Sequence, residues 1–203
     1  MTSDPAWVNT THDWATAVDL AHLDVIRSSP QTYAPDGALH LVLEVMAYAD
    51  EEAGALRRPG ACTVTVHTDG SVSVADDGRG TDTRRTADGE VVRKPVMATS
   101  DLRFFDLSHA AVLPDGRPRR GISVVAALSS WLTHTNRRTD GAWTQRYERG
   151  VPTTDLMPLP PAATTGTTVR FLVDAALVPG AVTADQIREV AAFDWLTTTV
   201  QSR

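Results

Sequence analysis

The chain has 203 residues, of which 42% are hydrophobic and 22% charged, and a formal net charge of −6. This length points to one domain, two at most, with a sizeable core. The acidic balance argues against a protein whose main task is coating nucleic acid or an anionic membrane, and the single cysteine, Cys62, excludes a disulfide framework or a cysteine metal cluster. No apolar run approaches the roughly 20 residues that span a bilayer, and the N-terminus shows no signal peptide, so a cytoplasmic location is expected.

Residues 1–13 carry little pattern and read as a flexible arm, with a single domain expected over 14–203. Trp14 to Ser28 has roughly helical apolar spacing at Ala15, Val18, Leu20, Leu23 and Ile26, and Pro30 to Gly37 reads as a loop. Ala38 to Ala55 is the strongest helix, with an apolar stripe at Leu41, Val42, Val45, Met46 and Ala49. His40, Glu44, Tyr48 and Glu51 or Glu52 form a second line at spacings of three or four residues. Glu44, between Leu43 and Val45, is either a helix-margin acid or a functional one.

Arg57-Arg58-Pro59-Gly60 ends that helix. Cys62 to Val66 alternates, turns at Asp69-Gly70 and continues in a strand over 71–75, a β-hairpin. Asp76-Asp77-Gly78-Arg79-Gly80 closes the strand. It is either an ordinary surface turn or a place where an acid accepts from a ligand's amino group while glycines let backbone approach it. Residues 81–94 read as a solvated loop, 95–105 as a short helix and 106–120 as irregular. Residues 121–132 read as a helix on Ile122, Val125, Leu128 and Leu132. Strands are expected at 133–138, 142–148 and 167–173, with a turn at Asp140-Gly141 and a proline-rich loop over 152–163. A final helix is expected over 185–196. Helices segregated from a mixed, largely antiparallel sheet predict an α+β two-layer sandwich.

Six segments in order carry a family resemblance. They are His22-Leu23-Asp24-Val25-Ile26-Arg27-Ser28-Ser29-Pro30-Gln31-Thr32-Tyr33, Leu39-His40-Leu41-Val42-Leu43-Glu44-Val45, Asp69 to Gly80, Ser123-Val124-Val125-Ala126-Ala127-Leu128-Ser129, Tyr147-Glu148-Arg149-Gly150 and Thr165-Gly166-Thr167-Thr168-Val169-Arg170-Phe171. Together they resemble the N-terminal ATPase domain of DNA gyrase B and topoisomerase IV, of the GHKL superfamily, whose Bergerat fold lays helices on one face of the sheet. The resemblance implies an adenine nucleotide, ATP or ADP, as ligand. It implies that Asp76 accepts from the adenine amino group, helped by an ordered water and Thr167, and that Gly78 and Gly80 let adenine lie against the backbone. It further implies that Arg79 pairs with Glu52, that Arg138 stands at the pocket mouth and that Glu44 is the general base polarising the attacking water. A carboxylate in apolar surroundings has the raised proton affinity such a base needs.

The departures are as specific. The family's Mg²⁺-binding Asn is Tyr48 here, and a phenol is a poor Mg²⁺ ligand. The family's glycine-rich lid cradles phosphates with backbone N–H groups. Here a lid of about residues 100–121 ends in Pro118-Arg119-Arg120-Gly121-Ile122, with only Gly121 kept and one proline that donates nothing. The resemblance places the lysine that reaches the γ-phosphate, and the DNA-cutting machinery, in domains beyond this sequence. No autonomous topoisomerase activity and no direct DNA binding are therefore expected. Two readings stand. One is a nucleotide-binding module without Mg²⁺ or hydrolysis. The other is a stand-alone ATPase with Glu44 as base, working with a gyrase-type partner or as a homodimer. Arg119 and Arg120 either replace the metal's charge on the phosphates or form a solvated basic loop.

Overall fold

A computed structural model describes residues 18–81 and 111–203. The expected N-terminal arm, the start of the first helix before Val18, the loop after Thr81, the helix over 95–105 and the lid up to residue 110 lie outside the described residues.

The molecule is built around its longest helix. Helix α1 is Leu20–Ser28, α2 Pro30–Tyr33 and α3 Ala38–Leu56. At 1.5 Å per residue the 19-residue α3 is about 28 Å long. It starts after Gly37 and ends where Arg57 turns left-handed (φ +51°), its N–H returning to the carbonyls of Ala53 and Gly54. Eleven of its residues are buried, Glu44 and His40 among them. Strand β1 (Gly60–Val66) and β2 (Val72–Asp76) form the hairpin. Asp69 shapes its turn by accepting from the Ser71 N–H and hydroxyl at 3.0 and 2.6 Å. Helix α4 (Ile122–Ala127) leads into β3 (Ser129–Arg138) and β4 (Gly141–Glu148). Two short strands, β5 (Val151–Pro152) and β6 (Met157–Pro158), flank β4, and β7 (Gly166–Val173), α5 (Ala184–Val190) and β8 (Leu196–Ser202) complete the order.

The eight-stranded sheet runs β5-β4-β3-β7-β2-β1-β8, with β6 pairing off β4. Every pairing is antiparallel except β1 with β8. Register aligns two inward rows across it. One passes through Val66, Val72, Phe171, Leu132 and Tyr147, and the other through Val200, Val64, Val74, Val169, His134 and Gln145. The opposite face carries Thr65, Ser73, Arg170, Thr133 and Arg146 in register. One apolar and one polar face is the condition for a two-layer sandwich, with α3 and α4 covering the apolar side. The period of two has a functional consequence, since Asp76 follows Val72 and Val74 on the inward face.

The family-like segment in α1 serves packing. His22 Nε2 meets Ser123 Oγ at 3.1 Å, and Arg27 donates to the Ala127 carbonyl at 2.7 Å, capping the end of α4. Asp19 caps α1 by accepting from the His22 N–H.

Four sequence expectations are corrected. Pro30 opens the short helix α2 inside the expected loop, because its fixed φ and missing N–H suit a first helical turn. The helix expected over 121–132 stops at Ala127, and Leu132 is an inward strand residue. Apolar spacing alone cannot separate those two states over so few residues. The expected loop over 152–163 holds β6 and the end of β5. The closing helix ends at Val190, and the chain finishes in β8, parallel to β1. Its Thr-rich edge sequence lacks the apolar alternation that marked the other strands.

Phe171 is fully buried at the centre of the sheet. Phe171→Ala should destabilise the protein by about 3–5 kcal/mol in chemical denaturation, through lost transfer energy and the cavity left behind.

Candidate functional site

The C-terminal end of β2 delivers Asp76 to the edge of the apolar layer. Its Oδ1 accepts from the Gly78 N–H at 2.8 Å and the Thr167 N–H at 3.2 Å, and its Oδ2 accepts from the Thr167 hydroxyl. A carboxylate offers about four lone-pair positions, so one on Oδ2 is left for a donor from outside. Burial pushes the Asp76 carboxyl above its ordinary range, and the Thr167 and Gly78 bonds only partly offset this. A half-buried acid with one acceptor position open gains from an incoming N–H donor.

The loop that follows is held from α3. Arg79 donates from Nε to Glu52 Oε1 at 2.7 Å and from Nη2 to Oε2 at 3.2 Å, a forked pair, and the Arg79 N–H adds a bond at 3.2 Å. Burial acts to raise the Glu52 carboxyl, but Arg79 outweighs it and holds it below the ordinary range. The glycines here are demanded by the protein's own groups. A Cβ on Gly78 would meet Asp76 Oδ1 and Glu52 Cγ at 2.8 Å, and one on Gly80 (φ +79°) would meet the Arg137 carbonyl and Asn136 Oδ1 at 2.6 Å. Asn136, which sequence reasoning passed over, is fully buried and bonds both the N–H and the carbonyl of Thr81. Arg138 donates to the Gly80 carbonyl at 3.0 Å and to Asp140 at 3.3 Å.

The second half of the site is the polar line of α3, and the chain before α4 is fastened along it. Residues 111–119 form a small hairpin with a bridge between Val112 and Pro118. Asp115 at its tip meets His40 Nδ1 at 2.6 Å, and Arg117 donates to Asp36 at 2.9 Å. Glu44, with no exposed surface, accepts from the Arg120 N–H at 2.5 Å and the Gly121 N–H at 2.9 Å. Gly121 has φ +103°, a conformation that favours glycine, where the chain turns into α4. The Tyr48 hydroxyl accepts from the Ile122 N–H at 3.1 Å. Arg119 is 1% exposed, lies 4.3 Å over the Tyr48 ring and pairs through Nη1 with Glu51. Arg120 turns the other way, over Tyr33 at 5.6 Å. Sequence reasoning did not tie Asp115 and Arg119 to α3, or Arg117 to Asp36 just before it, because nothing local links these residues to a segment about seventy to eighty positions earlier.

His40 links the two ends of this fastening, with Nε2 3.4 Å from Glu44 Oε1, an electrostatic contact rather than a well-aligned hydrogen bond. Burial acts to lower the His40 pKa, but Asp115 and Glu44 overcome it and raise the value from 6.5 to about 9. The described residues around Tyr48 do not suit a divalent metal. The Tyr48 hydroxyl already accepts from Ile122, the Glu44 oxygens from main-chain amides, and a guanidinium covers the phenol ring.

A raised His40 pKa stabilises the fold fully below pH 6.5 and loses that contribution as pH rises towards 9. Denaturation midpoints should therefore fall between pH 6.5 and 9, and His40→Gln should remove that part of the slope.

No protein-family model matches the chain. The DNA gyrase B protein of Haloferax volcanii is 34% identical over 188 residues, which is 88% of this chain and 28% of that protein. The DNA gyrase B protein of Mycolicibacterium smegmatis is 36% identical over 170 residues, 76% of this chain and 23% of the relative. The DNA topoisomerase 4 B protein of Staphylococcus epidermidis is 34% identical over 169 residues, 77% and 24% respectively. The chain thus spans about a quarter of the length of the curated relatives it matches. Among solved structures, the topoisomerase IV ATP-binding domain of Francisella tularensis, in complex with a small-molecule inhibitor, superposes with a TM-score of 0.70 at 22% identity, covering 89% of this chain and 90% of that one. By sequence over most of its length the chain is a homologue of DNA gyrase B and topoisomerase IV B, and its two-layer fold is that of the topoisomerase IV ATP-binding domain.

Proposed function

We propose that this chain binds an adenine nucleotide, ATP or ADP, through Asp76 and Thr167, without needing Mg²⁺ and without hydrolysing it while residues 119–122 lie on α3. The single observation that carries this reading is the contrast between two carboxylates. Asp76, at the edge of the apolar layer, keeps an acceptor position for a ligand's amino group, whereas Glu44 has no exposed surface and each of its oxygens already faces a main-chain amide, of Arg120 and of Gly121. A general base needs its lone pairs within reach of its water, and Glu44 meets no water while that segment covers it. Gly78, Arg79, Gly80 and Arg138 act as the frame that holds the Asp76 loop, and Tyr48 and Gly121 as the closed end. In this reading residues 14–203 work as one unit with its lid near 100–121, in the cytoplasm, with a gyrase-type protein or a second copy as partner and no direct contact with DNA.

The alternative is an active ATPase. One observation favours it. Glu44 lies eight residues from Glu52 on the same helix, about 12 Å along the axis, which is the right order of length for a nucleotide lying between Asp76 and Glu44. A lid that lifts would then free the base.

Calorimetric titration with a non-hydrolysable ATP analogue decides between them. Binding of equal strength with Mg²⁺ and with EDTA, lost in Asp76→Asn, supports the proposal. Strong Mg²⁺ dependence, or phosphate release that disappears in Glu44→Gln, establishes the enzyme instead.

A further inference from the structure

One buried charge in the described structure is incompletely satisfied, that of Arg119. Its guanidinium is buried, yet only Nη1 has an ionic partner, Glu51, while Nε and Nη2 find no hydrogen-bond partner. Leaving buried charged donors unsatisfied is expensive, and a side chain kept for packing alone would not need them. Nε and Nη2 form one edge of the guanidinium fork, the edge that meets two oxygens of one phosphate side by side. The guanidinium carbon lies 4.3 Å from the Tyr48 ring centre, and the partner of Nη1, Glu51, is itself half-exposed. Arg119 also lies at the level of Tyr48 and Glu51 on α3, within one turn of Glu52, which holds the loop beside Asp76. Arg120 cannot share this role, because its side chain is turned onto Tyr33.

We propose that the Nε–Nη2 edge of Arg119 is a built-in cationic subsite for a phosphate group of the bound nucleotide, supplying positive charge from the protein itself. This rests on the reading of Asp76 as the adenine anchor, and extends it to how phosphate is recognised without metal. The Tyr48 ring is then a support for the arginine. A forked guanidinium contact adds affinity for ADP and ATP over adenosine, and that gain is sensitive to salt.

The test is calorimetry in EDTA with adenosine, ADP and inorganic phosphate, on the wild-type chain and on Arg119→Gln and Arg119→Lys. The expected result is ADP binding at least about tenfold tighter than adenosine, with the gap narrowing at high salt. Arg119→Gln should close the gap and leave adenosine affinity unchanged. Arg119→Lys should recover part of it, and it covers the case in which the glutamine variant fails to fold, read from its unfolding transition. A wild-type chain that binds ADP and adenosine equally, a gap that survives Arg119→Gln, or one that appears only with Mg²⁺ overturns the subsite. Adenosine binding that is lost in Asp76→Asn would still uphold the adenine anchor in each of those cases. Inorganic phosphate that binds through Arg119 while ADP gains nothing over it assigns the edge to a free anion and overturns the nucleotide subsite. If none of the three ligands binds, both readings fall together.

Discussion

A carboxylate with no exposed surface has to be satisfied by the protein, and Glu44 is satisfied by the backbone of the segment that enters α4. Much of the described site follows from this. Bringing the Arg120 and Gly121 amides to Glu44 lays residues 115–122 along one polar line of α3. Asp115 then meets His40, Ile122 meets Tyr48 and Arg119 meets Glu51. Each contact closes a loop of more than sixty residues, so the individual bonds are modest against the entropy they must offset. Their strength lies in being consecutive, since fixing one sets the register of the next.

The two halves of the site answer to different physics. Around Asp76 the chain is shaped by sheet geometry. The inward alternation of β2 buries the acid, Thr167 on neighbouring β7 reaches it, and Glu52 holds the following loop through Arg79. This half leaves an acceptor open. Around Glu44 the chain is shaped by charge compensation, and His40, Glu44, Tyr48 and Glu51 on α3 are each engaged by residues 115–122. Tyr48, Arg119 and Asp115 close this second half through Ile122, Glu51 and His40.

His40 shows how closely the two kinds of constraint are joined. It sits one helical turn before Glu44, is buried by the same packing, and is kept cationic by two carboxylates of opposite origin, one on its own helix and one on the hairpin tip. Burial lowers His134 in the same way, and with no acid among the described residues to oppose it the value falls to about 4. What separates the two buried histidines is the carboxylates that meet His40.

The residue order by itself determined the strongest helix, the β1–β2 hairpin, the inward placement of Asp76 and the line through His40, Glu44 and Tyr48, because periods of two and of three to four are written directly into side-chain pattern. The family resemblance it carries also implies departures at Tyr48 and residues 118–121. The end of α4 and the start of β3 were not legible, since a few apolar residues fit either period, and β8 was hidden by its polar edge composition. What only the tertiary structure decided is the use of the departures. That Arg119 turns in over Tyr48 while Arg120 turns out, and that Glu44 is capped by main-chain amides, depends on two segments some seventy residues apart meeting in space. No local propensity encodes that meeting; the need to compensate buried charge does.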